Sequence, residues 1–314
     1  MKKKDLKIVF FGTPEFAVES LDALVKNGFN VAAVVTMPDK IAGRGHHIIQ
    51  SDVKKYALEK DLNILQPEKL KNPEFVEALR KIDADLFIVI AFRMLPEVVW
   101  AMPRLGTFNL HGSLLPKYRG AAPINRAIMN GETETGITTF FLKHEIDTGD
   151  IIEQRKIEIL QSDNVGTVYD RLMKIGAECV IHTVESIIDG TLTTKPQPEG
   201  EFIPAPKIFK EDCRIDWGKT PKEIFNHIRG LSPYPAAWSV MEDFSGKTMD
   251  VKIFDSRPSD TFVSEIPGEV KLIDKKLFVA ANHGSVIIES LQPAGKKRME
   301  ASAFLLGYKP KRFI

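Results

Sequence analysis

Strands and helices alternate in the pattern of apolar and polar positions over the first 190 residues. Apolar runs of strand length fall at residues 7–11, 31–36, 86–91, 107–110 and 136–141. Thr13 is placed as the N-cap, and Pro14 as the first residue, of the helix after the first strand. Gly190 is placed to end a long helix over residues 164–189. This alternation predicts an α/β domain with a doubly wound, Rossmann-like parallel sheet.

The pattern changes after residue 190 and predicts a second domain. Residues 191–206 are rich in proline, as is typical of a linker. Thr220 and Glu223 then have the spacing of a capping box at the start of a helix. Strand-like runs follow at residues 237–241, 249–254, 269–273, 277–281 and 286–291, with a turn at Asp274 and Lys275. We therefore expect a catalytic domain over residues 1–190, a linker over 191–206, and a small β-barrel of the OB-like type over 207–314.

The composition of the chain limits the classes of protein to which it can belong. Hydrophobic residues make up 43% of the 314 residues, and the formal net charge of +1 argues against a protein that coats nucleic acid along its whole surface. Cys179 and Cys213 match no zinc or disulfide pattern. No apolar segment has the length of a signal peptide or a transmembrane helix. We expect a monomeric cytoplasmic protein with no membrane partner.

Candidate chemistry is concentrated between residues 107 and 150. In an extended strand, residues two apart point the same way, so Asn109 and His111 should project together while Leu110 enters the core. Asp147 follows after a helix-sized interval. An amide, an imidazole and a carboxylate can bind an oxyanion, transfer a proton and favour the charged imidazole. Acyl transfer to an amine needs these three functions.

The same three residues also permit a plainer interpretation. Asn109 and His111 could be polar groups at a strand end, and Asp147 could cap a turn with Thr148 and Gly149. Their position favours a functional site, because ligands of open α/β sheets bind beyond the carboxyl ends of the strands. From these residues alone we infer only that the protein catalyses an acyl transfer near the end of a strand.

Dinucleotide, NTP and metal chemistry have little support in the sequence. The first strand–helix turn reads Gly-Thr-Pro-Glu-Phe at residues 12–16 and lacks the G-x-G-x-x-G pattern, and the chain carries no Walker A lysine. A nicotinamide-dependent oxidoreductase is therefore disfavoured. His46 and His47 are adjacent, but no cysteine or carboxylate cluster near them completes a metal site, so we expect no metal.

These motifs closely resemble those of the folate-dependent formyltransferases. Asn109, His111 and Asp147 match the family's Asn, His and Asp positions. The resemblance covers nearly the whole chain. The other segments that resemble the family are Ser113-Leu114-Leu115-Pro116 and residues 12–17, 38–45, 230–238 and 295–299. The chain departs from the family pattern at residues 92–94, which read Phe-Arg-Met, and at residues 46–47, where lysines are common.

The resemblance implies a donor, an acceptor and a role for each residue of the triad. The formyl group passes from 10-formyltetrahydrofolate to the α-amino group of methionyl-tRNA, the charged initiator of translation, without a metal or a covalent enzyme intermediate. Asn109 donates to the oxyanion, and His111 donates to it or protonates the leaving N10. Asp147 favours the charged imidazole and orders a water that relays protons.

The resemblance also assigns residues to binding. The residues expected to contact the folate co-substrate are Ser113, Leu114, Leu115 and Pro116. Lys40 and Arg44 belong to a glycine-containing loop that is expected to contact tRNA phosphates. Phe16 is expected to flank the methionine side chain. The second domain is expected to add affinity for tRNA through its lysines and arginines.

Other functions remain open at this point. Another enzyme that uses 10-formyltetrahydrofolate could share Asn109, His111 and Asp147, namely a sugar-nucleotide or purine-ribotide formyltransferase, or a hydrolase. The second domain and the loop with Arg44 favour tRNA over these acceptors. A non-catalytic folate- or RNA-binding protein is disfavoured, because binding alone does not call for all three side chains.

Overall fold

The computed structural model describes residues 2–42, 47–199 and 202–314 of the chain. Its contacts divide it into two compact units. The ranges of the first unit are Met1–Gly120, Gly136–Ile157 and Tyr169–Pro204, and those of the second unit are Ala121–Thr135, Glu158–Val168 and Ala205–Ile314. None of the described helices combines the length and the apolar character needed to cross a membrane.

The α-helices of the described residues are α1 (Glu15–Lys26), α2 (Asp52–Glu59), α3 (Pro73–Ile82), α4 (Glu97–Trp100), α5 (Pro123–Met129), α6 (Val165–Asp189), α7 (Pro221–Leu231) and α8 (Ala301–Gly307). A 3-10 turn covers Glu211–Cys213. The long helix α6 ends immediately before Gly190, which has a φ of 70°. Glycine adopts this left-handed conformation without strain, and the predicted end of the helix is confirmed.

The strands of the first part of the chain are β1 (Lys7–Gly12), β2 (Asn30–Val35), β3 (Lys40–Ala42), β4 (His47–Ile49), β5 (Ile64–Leu65), β6 (Leu86–Ile90), β7 (Thr107–His111), β8 (Arg119–Gly120), β9 (Glu134–Phe141) and β10 (Ile151–Glu158). Those of the later part are β11 (Pro204–Ala205), β12 (Ala237–Asp243), β13 (Thr248–Ser259), β14 (Val270–Ile273), β15 (Lys276–Ala281), β16 (Gly284–Pro293), β17 (Met299–Glu300) and β18 (Pro310–Phe313).

The first unit is built on a seven-stranded sheet in the order β10-β9-β7-β6-β1-β2-β5. The strands from β7 to β5 run parallel to one another, whereas β9 runs antiparallel to β7. The predicted doubly wound, Rossmann-like class is confirmed, with the difference that the sheet is mixed. Only the pairing with β7 decides the direction of β9, because the apolar pattern of a strand is the same in both directions.

Helices cover both faces of this sheet, because its central strands are apolar at successive positions. On one face, Val9 and Phe11 of β1 pack with Phe75 of α3. On the other face, α1 approaches the end of β1 so closely that a Cβ added to Gly12 would lie 2.7 Å from that of Ala17. The glycine at the end of β1 allows this approach, which places the start of α1 at the carboxyl edge of the sheet.

The second unit contains a nearly closed antiparallel barrel with the strand order β14-β15-β16-β13-β12-β18. Glu269, next to β14, bridges to Arg312 of β18, and the Phe313 N–H donates to the Gly268 carbonyl at 2.8 Å, so the two ends of this order meet. The barrel core includes Ile224, Ile228, Val251, Leu291 and Phe304. The predicted small C-terminal β-barrel is confirmed.

Two local predictions have opposite outcomes. Asp274 and Lys275 form the turn between β14 and β15 with φ values of 49° and 60°, as predicted. Thr13 as the N-cap of α1 is wrong by one residue. The helix begins at Glu15, and the N-cap residue is Pro14 in an extended conformation. The Thr13 hydroxyl is buried without a hydrogen-bond partner among the described residues.

The predicted capping box of α7 is confirmed. The Thr220 Oγ1 accepts from the Glu223 N–H at 3.3 Å, and the Glu223 Oε2 accepts from the Thr220 N–H at 2.9 Å. The Thr220 hydroxyl also donates to the Glu223 Oε2 at 2.7 Å. This bond and the one from the Thr220 N–H lower the pKa of Glu223, because they stabilise its ionised carboxylate.

Thr220→Ala is expected to lower the free energy of unfolding by about 1 kcal/mol, since it removes the side-chain acceptor at the N-cap. Urea unfolding of the full chain measures the change. Lys222→Ala, at an exposed position of the same helix, is the control and should have little effect. The pKa of Glu223 is depressed in the folded state, so the difference from wild type should shrink as the pH falls through that folded value. Equal stability of wild type and Thr220→Ala at neutral pH would contradict the assigned cap.

Candidate active site

The candidate active site begins at the carboxyl end of β7, between β6 and β9. Parallel pairing sets Asn109 beside Val89, and antiparallel pairing sets His111 beside Thr138. Leu110 turns to the opposite face and packs on α6, where a Cβ added to Gly176 would lie 2.8 Å from the Leu110 Cδ2. Asn109 is half-buried and His111 is buried, and both belong to the face away from α6.

A backbone carbonyl orients the His111 ring. The His111 Nε2 lies 2.8 Å from the Tyr118 carbonyl oxygen, which can only accept, so Nε2 carries a proton. The other ring nitrogen, Nδ1, lies 3.8 Å from the Asp147 Oδ2. This distance exceeds a direct hydrogen bond, and one water molecule can hydrogen-bond to both groups across it. In the neutral ring, Nδ1 is therefore the nitrogen that can accept a proton, and it lies on the side of the Asp147 carboxylate.

The loop between β9 and β10 holds Asp147 in a left-handed conformation with a φ of 55°. The Asp147 Oδ2 accepts from the Gly120 N–H at 2.9 Å, which fixes the carboxylate. Two residues later the loop crosses its own strand, and a Cβ added to Gly149 would lie 1.5 Å from the Phe141 carbonyl oxygen. Only glycine fits at position 149, so the close crossing sets the path of the segment that carries Asp147.

Gln197 is a residue of this site that sequence analysis misses. Its Nε2 donates to the carbonyls of Asp147 at 2.7 Å and Gly149 at 2.9 Å, and its Oε1 accepts from the Arg119 Nη2 at 2.6 Å. Gln197 lies in the proline-rich stretch over residues 191–206, whose composition carries no signal for such a contact. It acts as a positioning residue for the Asp147 loop.

The segment from Ser113 to Pro116 forms the start of the loop after β7. Ser113 is buried, and its Oγ donates to the Lys117 carbonyl at 2.7 Å. Leu115 is also buried, and its N–H and carbonyl are bonded to side chains of β9 and β10. Leu114 and Pro116 are half-buried. The inward-facing members of the segment thus shape the loop beside His111.

Phe16 lies in the first turn of α1, at the same carboxyl edge of the sheet as the end of β7. Its ring centre is 5.1 Å from that of Tyr169, and its N–H donates to the Tyr169 hydroxyl at 2.9 Å. Burial raises the pKa of Tyr169 to about 12, so the phenol stays protonated at neutral pH. Phe16 itself is buried, with 6% of its surface exposed.

Arg93 occupies the segment after β6 where the sequence departs from the family pattern. Its guanidinium donates to the Glu68 carbonyl at 2.6 Å and also to the Pro67 carbonyl. Burial lowers the pKa of Arg93, because charge is costly away from water. Ala91, immediately after β6, has a φ of 46°. The arginine therefore ties this strand end to residues 67–68.

Of the two residues predicted to contact tRNA, Lys40 belongs to the described residues. Lys40 is an exposed residue of β3, which pairs antiparallel with β4. Arg44 lies outside the described residues. Among the described residues, no group of three or more His, Cys, Asp or Glu side chains is arranged to hold a metal ion.

Comparison with known families assigns the chain to a class of enzyme. The family described as "Formyl transferase" matches residues 6–184, and the family described as "Formyl transferase, C-terminal domain" matches residues 207–309. The chain belongs to the formyl transferase family. This membership agrees with the mixed Rossmann-like sheet and the C-terminal barrel.

Similar proteins narrow the comparison within the family. The methionyl-tRNA formyltransferase of Bacteroides fragilis is 58% identical over 314 residues, which covers 98% of this chain and 97% of that protein. The methionyl-tRNA formyltransferase of Porphyromonas gingivalis is 47% identical over 318 residues, with 98% and 97% covered. The sequence similarity thus extends over both units.

Solved structures share the fold at lower identity. A sugar 3N-formyl transferase, WlaRD, in the presence of dTDP and 5-N-formyl-THF, is 22% identical with a TM-score of 0.67, covering 93% of this chain and 99% of that one. HypX from Aquifex aeolicus in complex with tetrahydrofolic acid is 20% identical with a TM-score of 0.63, covering 96% of this chain and 47% of that one. These similarities concern the fold alone.

Gly149→Ala is expected to reduce turnover at least about 100-fold, because the added Cβ must displace the loop that carries Asp147 and small displacements of catalytic groups cost about this much. Steady-state formyl transfer and thermal unfolding should be measured together. Gly307→Ala is the control, since its added Cβ meets no atom within 4 Å. Wild-type turnover in Gly149→Ala would show that the crossing at Phe141 does not position the site.

Proposed function

We propose that this protein transfers a formyl group from 10-formyltetrahydrofolate to the α-amino group of methionyl-tRNA, in translation initiation. The observation that carries the proposal is the placement of Asn109 and His111 at the carboxyl end of β7, with the Asp147 carboxylate 3.8 Å from the His111 ring. The 58% identity to a methionyl-tRNA formyltransferase over nearly the full chain supports the choice of acceptor. The protein would act in the cytoplasm as a monomer.

The proposed reaction forms one carbon–nitrogen bond and breaks another. The acceptor amine attacks the formyl carbon, the bond from that carbon to N10 breaks, and the folate leaves as tetrahydrofolate. The amine loses one proton and N10 gains one. Asn109 donates to the oxyanion, His111 carries the proton on Nδ1, and Asp147 stabilises the charged ring across 3.8 Å. Because the His111 Nε2–H donates to the Tyr118 carbonyl, Nδ1 is the ring nitrogen that takes part in this proton transfer.

The other residues of the proposal bind and orient the two substrates. We assign the folate co-substrate to the loop of Ser113, Leu114, Leu115 and Pro116, of which Leu114 and Pro116 are the more exposed members. Phe16 would flank the methionine side chain. Residues 1–190 would supply the chemistry, residues 191–206 a linker, and residues 207–314 affinity for tRNA. The donor set of one amide, one imidazole and one carboxylate fits this chemistry without a metal ligand.

The decisive experiment is formyl transfer by the purified protein from 10-formyltetrahydrofolate to methionine-charged initiator tRNA. His111→Ala and Asn109→Ala are each expected to lower kcat by about 100- to 1,000-fold, since loss of one preorganised donor costs about this much. His144→Ala is the control, because this histidine side chain is 73% exposed. Failure of the wild-type protein to formylate methionyl-tRNA, or formylation of an amino-sugar nucleotide in its place, would refute the proposed acceptor.

We assign Lys40 and Arg44 to the tRNA rather than to the folate. Arg44→Ala is expected to raise the KM for methionyl-tRNA and to leave the KM for the folate donor unchanged. Arg44→Lys should restore function only in part if the contact with phosphate is bidentate. Arg80→Ala, an exposed arginine of α3, is the control. A change confined to the KM for the folate would show that the loop serves the donor.

A further inference from the structure

A cavity of about 600 Å³ lies within the second unit, and none of its lining residues is assigned above to formyl transfer. It is lined by residues 208–210, 213, 234–236, 238, 250–252 and 292–295, all of which belong to the second unit. Its volume is in the range of small-molecule sites and suits a group of the size of one nucleotide. The proposed chemistry of formyl transfer gives this cavity no role.

Exposed aromatic side chains line the cavity. Tyr234 is 81% exposed and Phe209 is 58% exposed. Trp238 also lines it, and its Nε1 donates to the Lys210 carbonyl at 2.9 Å, which fixes the orientation of the indole. Trp238 packs against the barrel core, whereas Tyr234 and Phe209 contribute little to a core at these exposures. They offer π-faces on which a planar ligand can stack.

Positive charge surrounds the same aromatic wall. The Lys210 Nζ and the Arg214 guanidinium lie 5.3 Å and 5.6 Å from the centre of the Trp238 ring. Lys252 lines the cavity, and its Nζ donates to the Pro235 carbonyl at 3.3 Å. Lys296 follows directly after the lining residues and is exposed. The ligand therefore combines a planar group with negative charge, as a nucleotide does.

The wall also carries a group that can only accept hydrogen bonds. Asp250 is an exposed carboxylate of the lining, beside Gln292, whose Nε2 donates to the Lys296 carbonyl at 2.7 Å. A base that fits must present N–H donors at its edge. Guanine fits best, because its N1–H and N2–H groups can bind one carboxylate side by side.

We propose that this cavity binds one unpaired guanine nucleotide of the acceptor tRNA. The base stacks on Tyr234 with its N–H edge toward Asp250, and its phosphates contact Lys210 and Lys252. Single-stranded RNA is recognised in this way elsewhere, through splayed bases that stack on aromatic side chains. The inference rests on the proposed function, which makes a tRNA the acceptor.

The first test measures binding of methionyl-tRNA to the full-length protein. Tyr234→Ala is expected to raise the Kd at least about fivefold, because a base stacked on an aromatic ring contributes about 1–3 kcal/mol. Lys252→Gln is expected to raise the Kd and to lower the slope of log Kd against log salt by about one unit. The controls are Phe244→Ala, an equally exposed aromatic residue of the barrel, and Lys276→Gln, an exposed lysine of β15. At saturating tRNA, kcat should be unchanged in all four variants.

The second test identifies the ligand with a small probe. Guanosine 5′-monophosphate should shift the NMR signal of the Trp238 indole N–H, inorganic phosphate alone should not, and Asp250→Asn should weaken the effect of the nucleotide. Binding of the nucleotide together with a wild-type Kd for tRNA in Tyr234→Ala and Lys252→Gln would overturn the proposal in favour of a free-nucleotide site. No binding of the nucleotide and no change of the Kd would overturn it altogether.

The two tests separate this inference from the proposed function. If the wild-type protein formylates methionyl-tRNA while Tyr234→Ala and Lys252→Gln bind it normally, the cavity proposal fails and the proposed function stands. If the wild-type protein binds tRNA through the cavity but does not formylate it, the proposed function fails, and the RNA contact at the cavity is supported.

Discussion

The pairing of β7 between β6 and β9 is the constraint on which the proposed site depends. Hydrogen bonds on both sides fix the register of this strand. Because successive side chains of a strand point to opposite faces, this register also fixes the face on which each side chain lies. Leu110 packs against α6, so Asn109 and His111 must lie on the other face of the sheet. A slip by one residue would bury the imidazole against the helix and remove both polar groups from the edge where a ligand can reach them.

Backbone groups, rather than other ionisable side chains, hold the chemical groups at that edge. The Tyr118 carbonyl orients His111, and the Gly120 N–H orients the carboxylate of Asp147. Gln197 fastens the loop of Asp147 through two further carbonyls. The charge of Asp147 therefore remains available to the imidazole and to a substrate. Preorganised polar groups of this kind need little rearrangement when charge develops at a reacting atom.

The second unit combines a barrel core with exposed aromatic rings, Tyr234 and Phe209, at the wall of a cavity. Residues such as Ile224, Val251 and Phe304 are buried and stabilise the barrel. Tyr234, by contrast, leaves most of its ring in contact with solvent. Packing in the core accounts for the first group of residues but not for the exposed ring of Tyr234. The cavity that these rings line, with lysines around it, is the reason to look for RNA contacts on this unit.

The sequence by itself determined the elements whose signals are local. The alternation of apolar runs defined the class of the first domain, Thr220 and Glu223 defined the start of α7, and Asn109, His111 and Asp147 stood out as a possible triad. Only the tertiary structure decided the reversed direction of β9, the contacts of Gln197 and the need for Gly149. These features depend on strands and carbonyls that are distant in the chain. A local pattern carries propensity and periodicity but no information about which distant backbone lies opposite.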